Sequence, residues 1–414
     1  IGVRILYIAR LFSGLEQSVI KGKWEPSGVP TIYRLIERLD DSSSIDLKLV
    51  LTSKGGFTQW NSKKVVNRKL EGLLTPVIVL PFFDKISFCH KKISKFLSEL
   101  YQLLYIISAK IIFNPDLIYV DHANIVSASV LSRIFSNTPV IFRLMGVYQA
   151  ARDVMEINRP IFYVLRWMYR SPFSAIICTQ DGSGLEPWLN KAINKKTSKY
   201  LLINGVDEID HSETYNDISL IDKDKSVILF VGKLEEAKGI LQYIRACSIV
   251  AKTGNNKFYF LIIGNGSLLN KCREIIKVDN LTNMSIITHV NHCEILSIHL
   301  RSEIYVSLNR WGNLSNVNLE AMRAGSCIIF PSSKKSIGVD VITDKLISNK
   351  AVSRIPSTDS VQDLADSIIF LHNNPNKRKA MSRQVIKESN SFLVTWEERI
   401  NNELVIIQKH SGLI

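Results

Sequence analysis

Short apolar runs recur along the chain, each closed by charged or turn-forming positions. Between them lie stretches whose apolar residues fall three and four apart. The first series is RILYIAR (4–10), DLKLVLT (46–52), PVIVLP (76–81), DLIYVD (116–121), PVIFRL (139–144), AIICTQ (175–180) and KYLLING (199–205). The second is SVILFVGKL (226–234), FYFLIIG (258–264), MSIITHV (284–290), EIYVSLN (303–309) and CIIFP (327–331). GVPTIYRLIERL (28–39) and IVSASVLSRIF (125–135) carry the helical spacing that belongs between such runs. This alternation predicts parallel sheets covered by helices, and the two series predict two doubly wound, Rossmann-like α/β domains in tandem, facing each other across a cleft. A polar, aperiodic stretch, HSETYNDISLIDKDK (211–225), reads as an elaborated connection after the first of them. With 414 residues there is material for two cores, expected over 1–205 and 206–395. TWEERINNELVIIQKH (395–410) reads as a terminal amphipathic helix.

In open parallel sheets ligands collect at the carboxyl ends of the strands, where the loops carry the chemistry. This chain places its glycines and polar residues there. Gly28 precedes Pro30 and the first long helix; Asp121 and His122 end one strand; Arg143 and Gly146 sit at the end of another; Asp181 opens the loop DGSG. NGVD (204–207) closes the first half. In the second half, Gly232 and Lys233 follow SVILFV, Gly264-Asn265-Gly266 follows FYFLII, and Asn309 to Asn316 follows EIYVSL.

Composition narrows the classes. Apolar residues make up 46% and charged residues 22%, as in an ordinary soluble enzyme. The six cysteines form no C-x-x-C pair, which indicates neither a zinc site nor a disulfide framework and suits a reducing cytosol. The net charge of +14 is uneven: residues 1–205 hold 27 Lys and Arg against 15 Asp and Glu, or +12, while the remainder holds 25 against 23, or +2. An anionic partner for the first half follows. No RNP sequence or paired Cys/His finger is present, so a membrane surface or a phosphorylated lipid is a better partner than nucleic acid. KISFCHKKISKFLSELYQLLYIISAK (85–110) mixes lysines with aromatic residues and reads either as a basic amphipathic helix at a membrane surface or as a solvated helix face. Its most apolar part, 97–113, is broken by Glu99 and Lys110 and falls short of the ~20 residues a span needs, so no transmembrane helix is expected. The opening VRILYIARLF, charged and without a cleavage site, reads as a first strand rather than a signal peptide.

GKLEEAKG (232–239) lacks the order of a Walker loop, but it sets Lys233 and Lys238 around a strand-to-helix turn, where two ammonium groups can converge on one diphosphate. The Gly264-Asn265-Gly266 turn fails the dinucleotide fingerprint, because Leu269 occupies the third glycine position. In NLSNVNLEAMRAG (313–325), Ser315 or Asn316 is a natural N-cap, and the helix start offers amides and a positive dipole end to an anion. Glu320, one turn in, suits a ribose diol. Together these describe a nucleoside-diphosphate site.

The order LFVGKLEEAKG, FLIIGNGS, NVNLEAMRAG and FLVTWEERI (392–400) resembles the retaining glycosyltransferases of family 4, which have the GT-B fold. The likeness covers the second half well and the first half loosely, with NGVD matching the inter-domain crossing. It implies a nucleotide-sugar of the UDP or GDP type bound by the second domain, through Gly232, Lys233, Lys238, Gly266, Val290, Leu314, Ser315, Asn316, Val317 and Glu320. It implies an acceptor at the first domain, near Gly28, Asp121, His122, Arg143, Gly146 and Asp181. Catalysis would rest on Lys238, Glu320, His122 and Asp121, with no cofactor and no metal; DKD (222–224) only looks like the metal motif of the other glycosyltransferase fold. The terminal helix (396–414) would pack back on the first domain. Two positions depart from the family: Gly312 replaces the first glutamate of a pair, and Met145 replaces a histidine. Asn313, Ser315 and Asn316 are candidates for the missing polar contacts. The expected function is a cytosolic, membrane-peripheral sugar transferase acting on a lipid-linked or polysaccharide acceptor in surface-glycan synthesis. A non-catalytic binding subunit and a nucleotide-sugar epimerase are the alternatives.

Overall fold

The structure, a computed structural model, describes residues 2–56, 60, 62–83, 91–208, 224–254, 257–290 and 292–412. Most of the connection 211–225, including the first two residues of DKD, and the start of the basic segment 85–110 lie outside them. The chain divides into two compact units. One comprises Ile1–Thr179, Trp188–Leu202 and Glu397–Ile414, the other Gln180–Pro187 and Ile203–Trp396.

In the first unit, β1 (Val3–Arg10), β2 (Ile45–Thr52), β3 (Val66–Arg68), β4 (Val77–Leu80), β5 (Leu117–Asp121), β6 (Val140–Leu144), β7 (Ala175–Thr179) and β8 (Ser198–Leu202) form one sheet in the order β3-β4-β2-β1-β5-β6-β7-β8. All neighbours are parallel except the edge pair β3 and β4. The helices are α1 (Ser13–Lys21), α2 (Pro30–Asp40), α3 (Lys91–Phe113), α4 (Ile125–Ile134), α5 (Gln149–Glu156), α6 (Pro160–Tyr169) and α7 (Leu185–Ala192). Strands β4 to β7 are buried at every position, as a sheet covered on both faces requires. Ile5, Tyr7 and Ala9 pack against Leu15 and Val19 of α1 and against Ile32, Leu35, Ile36 and Leu39 of α2, whose spacing forms one stripe behind Pro30 in its first turn. Each such buried aliphatic side chain contributes about 1.5–3 kcal/mol. Three-residue β3 carries no periodic signal and went unrecognised in the sequence.

The terminal helix, Trp396–Ser411, lies with the first unit from Glu397 onward and adds Ile400 and Ile407 to the same core. Its Glu403 is fully buried, accepts from Arg399 at 2.6 Å and from the Tyr119 hydroxyl, and meets Arg143 Nε at 3.3 Å. Burial pushes the Glu403 carboxyl up, but Arg399 and Arg143 outweigh it and hold it below the usual range. Arg143 also donates to Thr179 Oγ1 at 2.6 Å. The expectation that Arg143 faces a ligand is therefore corrected: a guanidinium 1% exposed and engaged by Glu403 has no free edge to offer.

Helix α3 runs 23 residues, and its part from Lys92 to Phe113 is apolar and long enough to cross a membrane by length and composition alone. Glu99 does not interrupt the helix: Lys54 Nζ lies 3.0 and 2.9 Å from its two carboxylate oxygens.

The second unit carries β9 (Ser226–Val231), β10 (Phe258–Ile263), β11 (Met284–Ile287), β12 (Ile304–Val306), β13 (Ile328–Pro331) and β14 (Val352–Ile355) in the parallel order β11-β10-β9-β12-β13-β14. Helices α8 (Ile240–Ala251), α9 (Leu269–Val278), α10 (His292–Arg301), α11 (Asn316–Arg323), α12 (Val341–Leu346), α13 (Val361–Asn373) and α14 (Pro375–Ser389) cover it. The loop 180–187, which the apolar pattern assigns to the first domain, groups here because its backbone is bonded here. Leu314 N–H donates to Asp181 O at 3.1 Å and Asp340 N–H to Gly182 O at 2.7 Å. In each sheet the chain reverses direction at its middle, between β1 and β5 and between β9 and β12, so the loops after these strands are the ones a ligand would meet.

Removing one partner of a buried ion cluster strands the others. Glu403→Ala should lower the unfolding free energy of the first unit by about 3–5 kcal/mol in a urea titration followed by circular dichroism.

Candidate functional site

The loop after β9 turns on Gly232 (φ 153°) and is clamped to the loop after β10: Gly232 N–H donates to Ile263 O at 2.9 Å and Leu234 N–H to Asn265 O at 3.0 Å. The clamp explains the Gly-Asn-Gly turn. A Cβ on Gly264 would lie 1.9 Å from Gly232 O, and one on Gly266 2.5 Å from Leu234 O. Both glycines are there for backbone packing between two loops. Lys233 is exposed at the tip, while Lys238 is partly buried just before Gly239. Burial draws the Lys238 ammonium below its ordinary value; Asp181 and Glu235 oppose that, and the nearby Lys233 adds to it.

The loop after β12 is held by a polar network. Asn313, fully buried, donates its backbone N–H to Asp340 Oδ1 at 2.7 Å and its side chain to Asp340 Oδ2 at 2.6 Å, and accepts from Ser307 Oγ at 3.0 Å. Asn318 donates to Ser307 Oγ and to Asn313 O, both at 3.1 Å, and accepts from the Tyr305 hydroxyl at 2.6 Å. Arg310 N–H donates to Ala237 O at 3.0 Å, which joins this loop to the one bearing Lys238. Arg310 is bidentate on Asp359, and Lys334 Nζ donates to Arg310 O at 3.3 Å.

The chain then enters α11. Ser315 takes the N-cap position in an extended conformation without a side-chain cap bond, and its carbonyl accepts the N–H of Leu319 at 3.0 Å. The amides of Asn316, Val317 and Asn318 precede that first helical pairing, at the positive end of the helix. Asn316 Oδ1 accepts from Asn204 of the NGVD turn at 2.6 Å. That turn is itself fixed: Val206 N–H donates to Val394 O at 3.0 Å, and a Cβ on Gly205 would lie 2.5 Å from Trp396 Cα.

Gly312 has φ 124°, and a Cβ there would lie 2.4 Å from Asp181 O and 2.7 Å from Ser183 N. The Asp181 loop thus occupies the space any side chain at 312 would need. Asp181 supplies a carboxylate in the same neighbourhood: burial pushes it up to about 6, against the Ser183 hydroxyl and amide and the charge of Lys238.

The structure therefore brings Lys233, Lys238, Asp181, Ser315 and Asn316 into one loop cluster. It corrects others. Leu314 is a core residue with no exposed side chain, so it cannot face a ligand, and Asn313 is spent on Asp340 and Ser307. Val290 and Val317 are half-buried against the same core, and Glu320 is 3% exposed within α11. Asp340 and Lys334 were missed, because neither belongs to a local pattern and both arrive from the segment after β13.

In the first unit, Asp121 lies at the switch point of its sheet, where its Oδ2 accepts from Arg10 N–H at 2.7 Å and its Oδ1 from Asn124 at 2.8 Å. Asp121 is 1% exposed and organises the turn. His122 is accessible; the protein crowding it holds its pKa below the ordinary value, with Arg143 and Arg10 acting the same way and Asp121 opposing. Gly28 (φ 100°) and Gly146 (φ 137°) both need positive φ, and Met145 Sδ accepts from the Thr31 hydroxyl at 3.6 Å.

Two outcomes follow from the packing and charge at Asp181. Gly312→Ala should destabilise the second unit by at least about 2 kcal/mol, read as a lower thermal midpoint, since both its φ and its neighbours oppose a side chain. With its pKa raised, the folded state keeps the Asp181 proton longer than the unfolded chain, so stability is lost as pH rises from 3.8 to about 6. Asp181→Asn should therefore raise the midpoint at about pH 8, with the gain fading by about pH 4.5.

Residues 211–388 match the family model for glycosyl transferases group 1. An uncharacterized glycosyltransferase of Methanocaldococcus jannaschii is 26% identical over 254 residues, which is 58% of this chain and 60% of that protein. Among solved structures, sucrose-phosphate synthase from Thermosynechococcus elongatus superposes with a TM-score of 0.70 at 13% identity over all of both chains. HepE of Anabaena, in complex with UDP and glucose, gives 0.64 at 12% identity over 98% of this chain and 99% of that one. A glycosyltransferase from Rickettsia africae gives 0.61 at 14% over 99% and 98%. The segment 211–388 thus resembles the group 1 glycosyl transferases, and the chain as a whole has the GT-B fold of these structures.

Proposed function

We propose that the protein transfers a sugar, with retention at the anomeric carbon, from a nucleoside-diphosphate sugar to a lipid-linked or polysaccharide acceptor at the cytosolic face of a membrane. One observation carries the donor assignment: Lys233 and Lys238 flank the β9 turn, and that turn is bonded through Ala237 to the loop that leads into the α11 amide end. Two ammonium groups and a helix N-terminus suit a diphosphate, with the positive charge already in place before the bond to the sugar breaks. Such charge is most valuable as the leaving group gains negative charge, so these residues act on the transition state more than on the bound donor. The relative solved with UDP makes a uridine nucleotide the first probe.

Asp181 is the carboxylate of this cluster. Its negative charge favours the charged form of Lys238, and its loop backbone fills the space beside Gly312. For the acceptor we assign His122 and the turn organised by Asp121. A non-catalytic nucleotide-binding subunit is the second reading, favoured by the closed surroundings of Gly312 and Asn313. Turnover separates the two.

Calorimetric titration of UDP and GDP should show binding of at least one to the wild type, weakened about 10–100-fold by Lys238→Ala and by Lys233→Ala. Equal affinities in all three proteins would overturn the donor site. Binding without release of UDP from any UDP-sugar would favour the subunit reading.

A further inference from the structure

Helix α3 is inside out over its first half. The side turned to the protein is polar: Ser94, Ser98 and Gln102 are at most 1% exposed. The side turned to solvent is apolar: Phe96 is 65%, Leu104 59% and Ile112 77% exposed, with Ile93, Leu100 and Ile111 between 40% and 61%. A helix that merely covered a sheet would show the reverse. The buried polar groups are fully used. Gln102 Nε2 donates to Ser53 O at 2.7 Å and to Pro81 O at 2.8 Å, Phe83 N–H donates to Ser98 Oγ at 2.8 Å, and Lys54 holds Glu99.

The apolar surface continues across the same face of the sheet. Helix α4 packs between α3 and α6, and Ile134 at its end is 62% exposed. Helix α6, PIFYVLRWMY, buries none of its residues, and Ile161, Tyr163, Val164 and Trp167 stand in solvent. Positive charge predominates around these residues. Lys92, Lys95 and Lys110 lie on α3, whose one acid is the paired Glu99; Arg166 lies on α6, which has no acid and is flanked by Arg159 and Arg170, while Asp153 and Glu156 belong to the adjoining α5. Several cations sit over rings: Arg133 is 3.6 Å from the Trp167 ring centre, Lys110 4.3 Å from that of Phe135 and Arg166 5.0 Å from that of Tyr163.

We infer that α3 and α6 form a docking surface that inserts into the interfacial layer of an anionic lipid bilayer. Large aliphatic and aromatic side chains reaching outward among lysines and arginines match both parts of such a surface, its apolar depth and its negative headgroups. The patch is far larger than the scattered apolar residues an ordinary surface carries. Helix α3 lies along the membrane and does not cross it. To cross, it would have to leave the sheet, and Gln102, Ser98 and the Lys54–Glu99 pair would lose their partners in hydrocarbon. The inference deepens the membrane part of the proposed function and makes no use of the donor site. An experiment without nucleotide therefore distinguishes its failure from failure of the transferase reading.

The full chain is sedimented with vesicles of phosphatidylcholine alone and with a one-third share of phosphatidylglycerol, alongside Leu100→Glu/Leu104→Glu, Lys92→Ala/Lys95→Ala and the control Val278→Glu, which alters an exposed apolar residue of the second unit. Wild type and control should bind the anionic vesicles at least 10-fold more tightly than the neutral ones. The glutamate pair should lose at least 10-fold, and the alanine pair should bind less and respond less to salt, with thermal midpoints unchanged in both. Absence of vesicle binding, or binding that both α3 variants leave intact, would overturn the inference. So would a dimer in sedimentation velocity that Leu100→Glu/Leu104→Glu dissolves, since a second copy would then be what covers this face.

Discussion

A parallel sheet sends every loop that follows a strand to the same edge, and strand order decides which of those loops become neighbours. In the second unit the order β10-β9-β12 sets the loop after β9 between two others. It meets one through the glycines at 264 and 266 and the other through the bond between Arg310 and Ala237. The remaining features of the candidate site depend on that adjacency. Lys233 and Lys238 would be two surface lysines if β12 lay elsewhere. Beside the loop that opens α11 they become candidates to share one anion with the amides of its first turn.

Holding these loops in place requires rigidity behind them, and the chain provides it with buried amides and one carboxylate. Asn313, Asn318, Ser307 and Asp340 satisfy one another, so the backbone from 309 to 316 is held by side chains that never reach solvent. Asp340 is itself in the left-handed region at φ 58°, a strained conformation of the kind found at functional sites. Gly312 belongs to the same arrangement. Its missing side chain admits the backbone of 181–183, and with that backbone comes Asp181, whose charge is disfavoured by burial and favoured by Lys238.

The first unit handles buried charge differently. Glu403, Arg399, Arg143 and Tyr119 form a closed cluster that fastens the terminal helix, while the polar side of α3 is buried against loop carbonyls at the ends of β2 and β4. The second arrangement leaves α3 with its apolar side outward. Burying serines and a glutamine while exposing leucines is unfavourable in water alone, and this is what the proposed contact of the outer face with lipid would account for.

The sequence by itself determined the class of fold and most of its strands. Fully buried parallel strands are continuous apolar runs, and the stripes of the helices between them are local properties of the chain. The positions of Lys233, Lys238 and Ser315 were legible for the same reason: strand, turn and cap signals extend over only a few residues. Short strands such as β3 and β14 carry too little pattern to be seen. What lay beyond local pattern was decided by the tertiary structure alone. Arg143 and Leu314 occupy loop-adjacent positions in the sequence, yet one is neutralised by Glu403, 260 residues away, and the other fills a core. Gly312 reads as a loss until the backbone of 181–183 is found filling the space a side chain would need. Whether a polar residue faces a ligand or a buried partner depends on which distant segment folds beside it, and no spacing along one chain contains that information.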